Sequence, residues 1–134
     1  MLDLALHYGR GPVLLKDIAQ RQGISQKYLG HLIGPLKASG LISSSRGAHG
    51  GYILAGPPED ITLKDVIQAV EGNLALVECV SKPEICSRVE ACVARDVWSL
   101  MSKTLLRLLE GVTLKDMVDQ QRQKRQTHPL VYNI

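Results

Sequence analysis

The amino-acid sequence predicts a mainly α-helical chain with one small β-hairpin, arranged as a winged helix-turn-helix followed by a long apolar helix. Three observations carry that expectation. Two helical periods meet at Gly23-Ile-Ser, a glycine stop followed at once by a capping serine. A glycine-rich run, Ser45-Arg-Gly-Ala-His-Gly-Gly, separates two short apolar stretches. Apolar residues then recur at helical spacing from Val93 to Glu110. The chain has 134 residues, 45% of them hydrophobic and 22% charged, which suits a single domain with a packed core.

Met1-Leu-Asp-Leu-Ala-Leu reads as helix with no capping residue before Leu2, so residues that belong ahead of it are expected to be missing. The next helix spans Leu15–Gln22, where Leu15, Ile18 and Ala19 share one face. Gly23 stops it. Ser25 caps the following helix, and Ile24 and Leu29 stand at the spacing of a hydrophobic staple, which sets the angle of exit from the turn. Helix, tight glycine turn and capped helix make a helix-turn-helix.

The helix over residues 25–39 separates into two faces. Leu29, Leu32, Ile33 and Leu36 are assigned to the core; Lys27, Gly30, His31 and Gly34 follow the same spacing on the other side. Each glycine in an exposed helix costs about 1 kcal/mol relative to alanine. A helix lying deep in a groove has a reason to keep them, because its backbone then approaches closely. Pro35 removes one backbone hydrogen bond and is expected to kink the helix.

Gly40 ends that helix, and residues 41–44 and 52–54 read as two strands. The turn between them carries Arg46 and His49; a hairpin directly after a helix-turn-helix is a wing. Gly56-Pro-Pro is a linker. Thr62 caps a helix to Glu71, with Asp65 closing a capping box, and Thr62-Leu-Lys-Asp recurs as Thr113-Leu-Lys-Asp, two helices with one start signal. A loop over 72–91 holds the cysteines. The helix Val93–Glu110 carries Val93, Val97, Leu100, Met101, Leu105, Leu108 and Leu109 along a stripe that Trp98 and Leu106 broaden. That is more apolar surface than a small domain covers, so a second copy is the expected partner. The organisation expected is 1–58 winged helix-turn-helix, 59–119 cysteine loop and dimerisation helices, and 120–134 polar basic tail.

Residues 1–58 hold six basic and two acidic side chains, against ten and eleven in 59–134. A front half at +4 and a back half at −1 suggest one segment facing a polyanion and another facing protein. No stretch approaches the ~18 consecutive apolar residues of a membrane span, and no charged-then-apolar leader opens the chain. A cytoplasmic protein is expected. Aromatics at 4%, with no Phe, leave few stacking platforms for single-stranded nucleic acid. No Ser-His-Asp order, phosphate loop or acid–base carboxylate pair stands out, so an enzyme is not expected.

Lys27, Tyr28 and His31 lie toward the start of the presumed recognition helix, the part that meets base edges in the major groove of double-stranded DNA. Lys27 suits a phosphate or a guanine, His31 a base edge and Tyr28 a phosphate. Arg46, with His49 in the same turn, suits a narrow minor groove. Gly30 and Gly34 complete the face. The second constellation is Cys79-x6-Cys86-x5-Cys92. Its spacing is not the paired form of a zinc ribbon; soft thiolates on wide loops suit an iron–sulfur cluster better, and unligated thiols are the alternative. His7 and His128 are expected to be structural or solvent-exposed.

The segment Asp17-Ile-Ala-Gln-Arg-Gln-Gly-Ile-Ser-Gln-Lys-Tyr-Leu, the wing Arg46-Gly-Ala-His-Gly-Gly-Tyr and the three spaced cysteines together resemble the IscR-type winged-helix regulators. That family also contains the nitric-oxide sensor NsrR and the cysteine-metabolism regulator CymR. The resemblance covers residues 1–121. It implies a homodimeric bacterial transcription factor whose Cys-ligated cluster, [2Fe–2S] favoured over [4Fe–4S], reports iron–sulfur status and controls iron–sulfur biogenesis genes. It also leaves a cluster-free thiol regulator of the CymR kind, or a nitric-oxide sensor of the NsrR kind, as alternatives. IscR-type proteins place a histidine ligand three residues after the last cysteine, where this chain has Arg95. A guanidinium carries donors only and cannot ligate iron. Glu78, Glu84, Glu90, residues upstream, the partner subunit or a small molecule remain for the fourth position. Loss of a cluster from such a loop is expected to loosen residues 78–92 far more than the helix-turn-helix.

Overall fold

The computed structural model describes residues 1–127. Helix α1 (Leu2–Leu6) is followed by α2 (Leu15–Gln22), which ends at Gly23 with φ 64° and ψ 30°. Gly23 N–H donates to Gln20 O at 3.4 Å and Ile24 N–H to Ala19 O at 3.1 Å, the paired closure that a left-handed glycine allows. Ser25 Oγ then accepts from Tyr28 N–H at 3.0 Å and opens α3 (Gln26–Ala38). Pro35 does not interrupt α3, which continues to Ala38. Leu36 is buried and Leu29, Leu32 and Ile33 pack against the core, as the apolar spacing requires.

Strands β1 (Ile42–Ser45) and β2 (Gly51–Leu54) pair antiparallel, Ile42 opposite Leu54 and Ser45 opposite Gly51. The ladder extends one residue nearer the turn on each strand than the apolar pattern alone indicates. A third segment explains the second of the two glycines there, and the turn's own backbone the first. Val13 exchanges both backbone hydrogen bonds with Tyr52, at 2.9 and 2.8 Å. A Cβ on Gly51 would stand 2.6 Å from Val13 O, and one on Gly50 would stand 2.5 Å from Ser45 O. Neither contact is sterically possible, so the base of the wing requires Gly-Gly.

The stretch expected as a linker is built into the body: Pro58 is buried and begins a short 3-10 turn, Pro58–Asp60. Helix α4 (Leu63–Glu71) carries the capping box of Thr62 and Asp65. Past a cysteine segment and a long helix described below, α7 (Leu114–Thr127) starts the same way, with Thr113 N–H donating to Asp116 Oδ2 at 2.8 Å and Asp116 N–H to Thr113 Oγ1 at 3.1 Å. The repeated motifs lie side by side. Leu63 N–H donates to Val112 O and Leu114 N–H to Ile61 O, both at 2.9 Å. The first N–H of a helix has no acceptor inside it; here each start supplies the other's acceptor.

One core runs through the molecule. Leu4, Ala5, Ile18, Leu36, Ile42 and Leu54 join Ile61, Leu114 and Val118 in a single buried cluster, which crosses position 58. Helix α1 packs on α7, and α7 passes through Gln120, so the polar basic stretch is helical as far as Thr127. The remainder of the expected tail, and His128, lie outside the described residues.

Asp3 is buried in this core beside α2. Arg21 reaches it with both Nε, 3.0 Å from Oδ1, and Nη2, 2.7 Å from Oδ2, while Gln22 Nε2 donates to Oδ1 at 3.2 Å. His7 Nδ1 lies 2.7 Å from Asp3 O, the structural role expected for that histidine. Arg21 holds the Asp3 carboxyl below the usual range, against the opposing effect of burial. A lowered carboxyl contributes stability that is complete above its ordinary pKa and disappears as pH falls through the lowered value. Asp3→Asn is therefore expected to cost about 1–3 kcal/mol at neutral pH and to flatten the acid limb of stability below about pH 4. Denaturant unfolding between pH 7 and pH 3 measures both; an unaltered acid limb would assign the acid sensitivity to another group.

Candidate nucleic-acid interface and cysteine loop

Residues Lys27, Gly30, His31 and Gly34 all face outward on α3, with Tyr28 exposed beside them. Nothing lies within 4 Å of a Cβ built on Gly30 or Gly34. No element beyond α3 itself requires a glycine at either place, though the ring of Pro35 disfavours a side chain on the residue before it, Gly34. The face is bare backbone flanked by polar side chains. Lys37, at the far end of α3, donates from Nζ to Ser44 Oγ at 2.9 Å and ties the helix to the wing.

Arg46 and His49 are exposed in the wing turn but face different hollows. Arg46 shares a cleft with Lys16, Gln26, Ser44 and Ser45, at the junction of α2, the start of α3 and the wing. His49 borders a second hollow with His7, Arg10, Asp17 and Arg21. The structure brings Arg46 next to the start of α3, and no residue of α3 lines the hollow beside His49. Lys16 and Gln26 escape a reading of the sequence. Only the pairing of Val13 with Tyr52 draws the start of α2 against the wing, and that pairing has no local sequence signal.

The cysteine segment is more structured than the loop expected over 72–91. It contains a helical turn, α5 (Glu78–Ser81), and two 3-10 turns, Pro83–Ile85 and Val89–Ala91. Cys79 lies half-buried in α5, Cys86 is exposed, and Cys92 is half-buried at the N-cap of α6 (Val93–Glu110); all three are free thiols. Among the described residues no three His, Cys, Asp or Glu side chains are grouped to hold a metal ion. Three thiols within one short segment have the chemistry for three of an iron–sulfur cluster's ligands. Arg95 adds none. Its Nε donates to Cys79 O at 3.1 Å and its main-chain N–H to Cys92 O at 3.1 Å.

Helix α6 is amphipathic in the direction opposite to an ordinary surface helix. Toward the body it turns Arg95, Ser99, Ser102, Leu106 and Leu109, of which Ser102 and Leu109 are buried. Outward it turns Val93, Val97, Trp98, Leu100, Met101, Leu105 and Leu108, with Val93 76% and Leu100 64% exposed. Leu106 and Leu109, expected on the stripe, belong to the inner face. Among the described residues no helix is long and apolar enough to cross a membrane.

A glycine-linked helix pair, a hairpin wing beside its second helix and an open polar face on that helix define a winged helix-turn-helix regulator. The family model described as Rrf2, iron-dependent transcriptional regulator, matches residues 1–120. The chain belongs to the Rrf2 family, whose members are transcriptional regulators and not enzymes. It is 47% identical over 118 residues to protein rrf2 of Nitratidesulfovibrio vulgaris, covering 88% of this chain and 79% of that one. Among solved structures it is similar to T. potens IscR, with a TM-score of 0.77, 39% identity and coverage of 98% and 86% of the two chains. It is also similar to CymR, the global cysteine regulator of B. subtilis, with a TM-score of 0.73, 35% identity and coverage of 89% and 87%.

Proposed function

We propose that this Rrf2-family regulator binds a double-stranded DNA operator as a homodimer and reads iron–sulfur status through its cysteine segment, controlling iron–sulfur biogenesis genes. The observation that carries the DNA reading is the outward face of α3, where Gly30 and Gly34 leave open backbone beside Lys27 and His31. Lys27 meets phosphate or a guanine, Tyr28 a phosphate and His31 a base edge, and Arg46 enters the adjacent minor groove, with His49 a peripheral wing contact. A dimer requires a partly palindromic site whose half-sites lie about 10 bp, or a small multiple of it, apart. Arg46→Ala is expected to weaken operator binding about tenfold. The slope of log affinity against log salt should fall by about 0.9 for the one phosphate charge that this guanidinium no longer neutralises from the groove. Binding with the wild-type affinity and slope would remove Arg46 from the interface.

Cys79, Cys86 and Cys92 are the residues that would hold the cluster, for which we favour [2Fe–2S]; when bound it supplies one-electron chemistry and sensitivity to oxygen. The sequence supports this through three soft ligands in one segment. A second reading, a cluster-free thiol regulator of the CymR kind, is favoured by a specific observation: the side chain of Arg95, which has donors only, is bonded to the carbonyl of Cys79. One experiment separates them. The protein is purified without oxygen, its iron and sulfide are measured, and each cysteine is replaced by alanine with iron content and operator affinity followed together. Brown wild-type protein whose three variants each lose most of their iron supports the cluster. Colourless, iron-free protein sinks it in favour of the thiol reading. Arg95→His, which adds an imidazole, is expected to lengthen the cluster's lifetime in air; an unaltered lifetime would mean that another ligand already completes the site.

A further inference from the structure

Arg95 stands in the first turn of α6, where its main-chain N–H makes the ordinary helix-start bond to Cys92 O and its side chain donates from Nε to Cys79 O, both at 3.1 Å. Two turns further along the same inner face of α6, buried Ser102 accepts from Leu76 N–H at 3.1 Å. The arm that carries Cys79 is therefore pinned to α6 at both ends. The rest of the segment is not. Among the described residues, positions 82–91 make hydrogen bonds only to residues three or four places away, such as Ile85 N–H to Lys82 O and Cys86 N–H to Pro83 O.

We propose that Arg95 is a positioning residue of the sensing segment: a metal-independent clasp that holds the Cys79 turn against the Cys92 end of α6 and leaves Cys86 the least constrained of the three. The segment then has two parts with different behaviour, in place of the uniform loosening that the sequence suggests for 78–92. In metal-free protein the arm over 76–81 stays ordered and the stretch over 82–91 opens. Movement of Cys79 reaches α6 through this charged hydrogen bond, and α6 carries the face offered to the second copy. That functional consequence rests on the sensing role proposed above; the clasp itself rests on the geometry alone.

Hydrogen exchange of the full-length, reduced, metal-free protein tests it, comparing wild type with Arg95→Ala and Arg95→Lys. The alanine variant is expected to exchange about tenfold faster over residues 76–82, the worth of one hydrogen bond to a charged group, with residues 84–91 and α3 unaltered. Lysine, which keeps a charged donor, is expected to restore most of the protection. Should alanine unfold the whole chain, Arg95→Met keeps the apolar stem and removes only the donors. Unaltered exchange over 76–82 in the donor-free variant, or equal exchange in the lysine and donor-free variants, would overturn the clasp. Operator affinity of the same proteins, with and without iron, separates the two ideas. Faster exchange with an affinity that ignores iron throughout keeps the clasp and defeats the sensing role, whereas unaltered exchange defeats the clasp whatever the operator affinity does.

Discussion

Replacing Gly30 and Gly34 together by leucine is expected to abolish operator binding, by about 100-fold or more, while making the protein more stable. The two effects have opposite sign because the positions serve different things in the free and bound states. In the free chain a Cβ at either glycine meets no part of the molecule beyond its own helix within 4 Å. At Gly30 leucine is the better helix former by roughly 0.5–1 kcal/mol, a gain that crowding against the ring of Pro35 offsets at Gly34, and the melting temperature should rise by a few degrees, or about 2–8 °C per kcal/mol. In the complex, two isobutyl groups stand where backbone approaches the floor of the groove. Holding the helix off by a few ångströms removes the contacts of Lys27 and His31 together, and two lost contacts of about 1–3 kcal/mol each account for the loss. Fluorescence anisotropy with operator DNA, alongside a thermal melt and a sizing experiment, reads all three quantities. A variant that binds normally would end the close-approach idea. One that loses both binding and stability would mean that the glycines serve the fold.

The second large effect is expected at α6. Leu100→Glu with Leu108→Glu places two carboxylates on the outward stripe, at positions 64% and 62% exposed in the single chain. Because neither side chain is part of the chain's own core, the helix content and the unfolding profile of the subunit should survive. An interface built on that stripe should not, since an unpaired charge costs several kcal/mol when buried. The double variant is expected to sediment as a monomer at concentrations where the wild type is a dimer. Its affinity for a palindromic operator should fall toward that of a single half-site. If it remains a dimer, the contact between copies lies elsewhere. If it becomes a monomer yet binds the palindrome as the wild type does, dimerisation through α6 is not what DNA binding requires.

Both predictions rest on features with unequal footing in the sequence. The bounds of α2 and α6 agree residue for residue with the periodicity, and Gly23, Ser25 and the Thr62 and Thr113 caps do what their residue types imply. Such signals are complete within about four residues: a capping hydroxyl, its acceptor geometry and the glycine that closes a helix are all neighbours in the chain. The two faces of α3 were legible for the same reason. So were the resemblance carried by the wing and cysteines and the departure at Arg95.

Tertiary structure alone decided matters that depend on partners distant in sequence. Gly51 looks like part of a flexible turn until Val13, nearly forty residues earlier, is found against it. Asp3 looks like a first-turn acid on a surface helix until Arg21 and Gln22 close over it. Arg46 and His49, three residues apart in one turn, border different hollows, Arg46 with Gln26 of α3 and His49 with His7 and Arg21. The sign of α6's amphipathicity could not be read from its stripe, because Leu106 and Leu109 extend the apolar pattern but turn the other way. Which face a helix buries is chosen by what packs on it, here Leu76 on Ser102 and Cys79 on Arg95. The sequence by itself therefore determined the elements, their order and the chemistry each can offer. The directions in which that chemistry points came from packing, since burial and long-range hydrogen bonds are properties of the assembled chain and of no single segment.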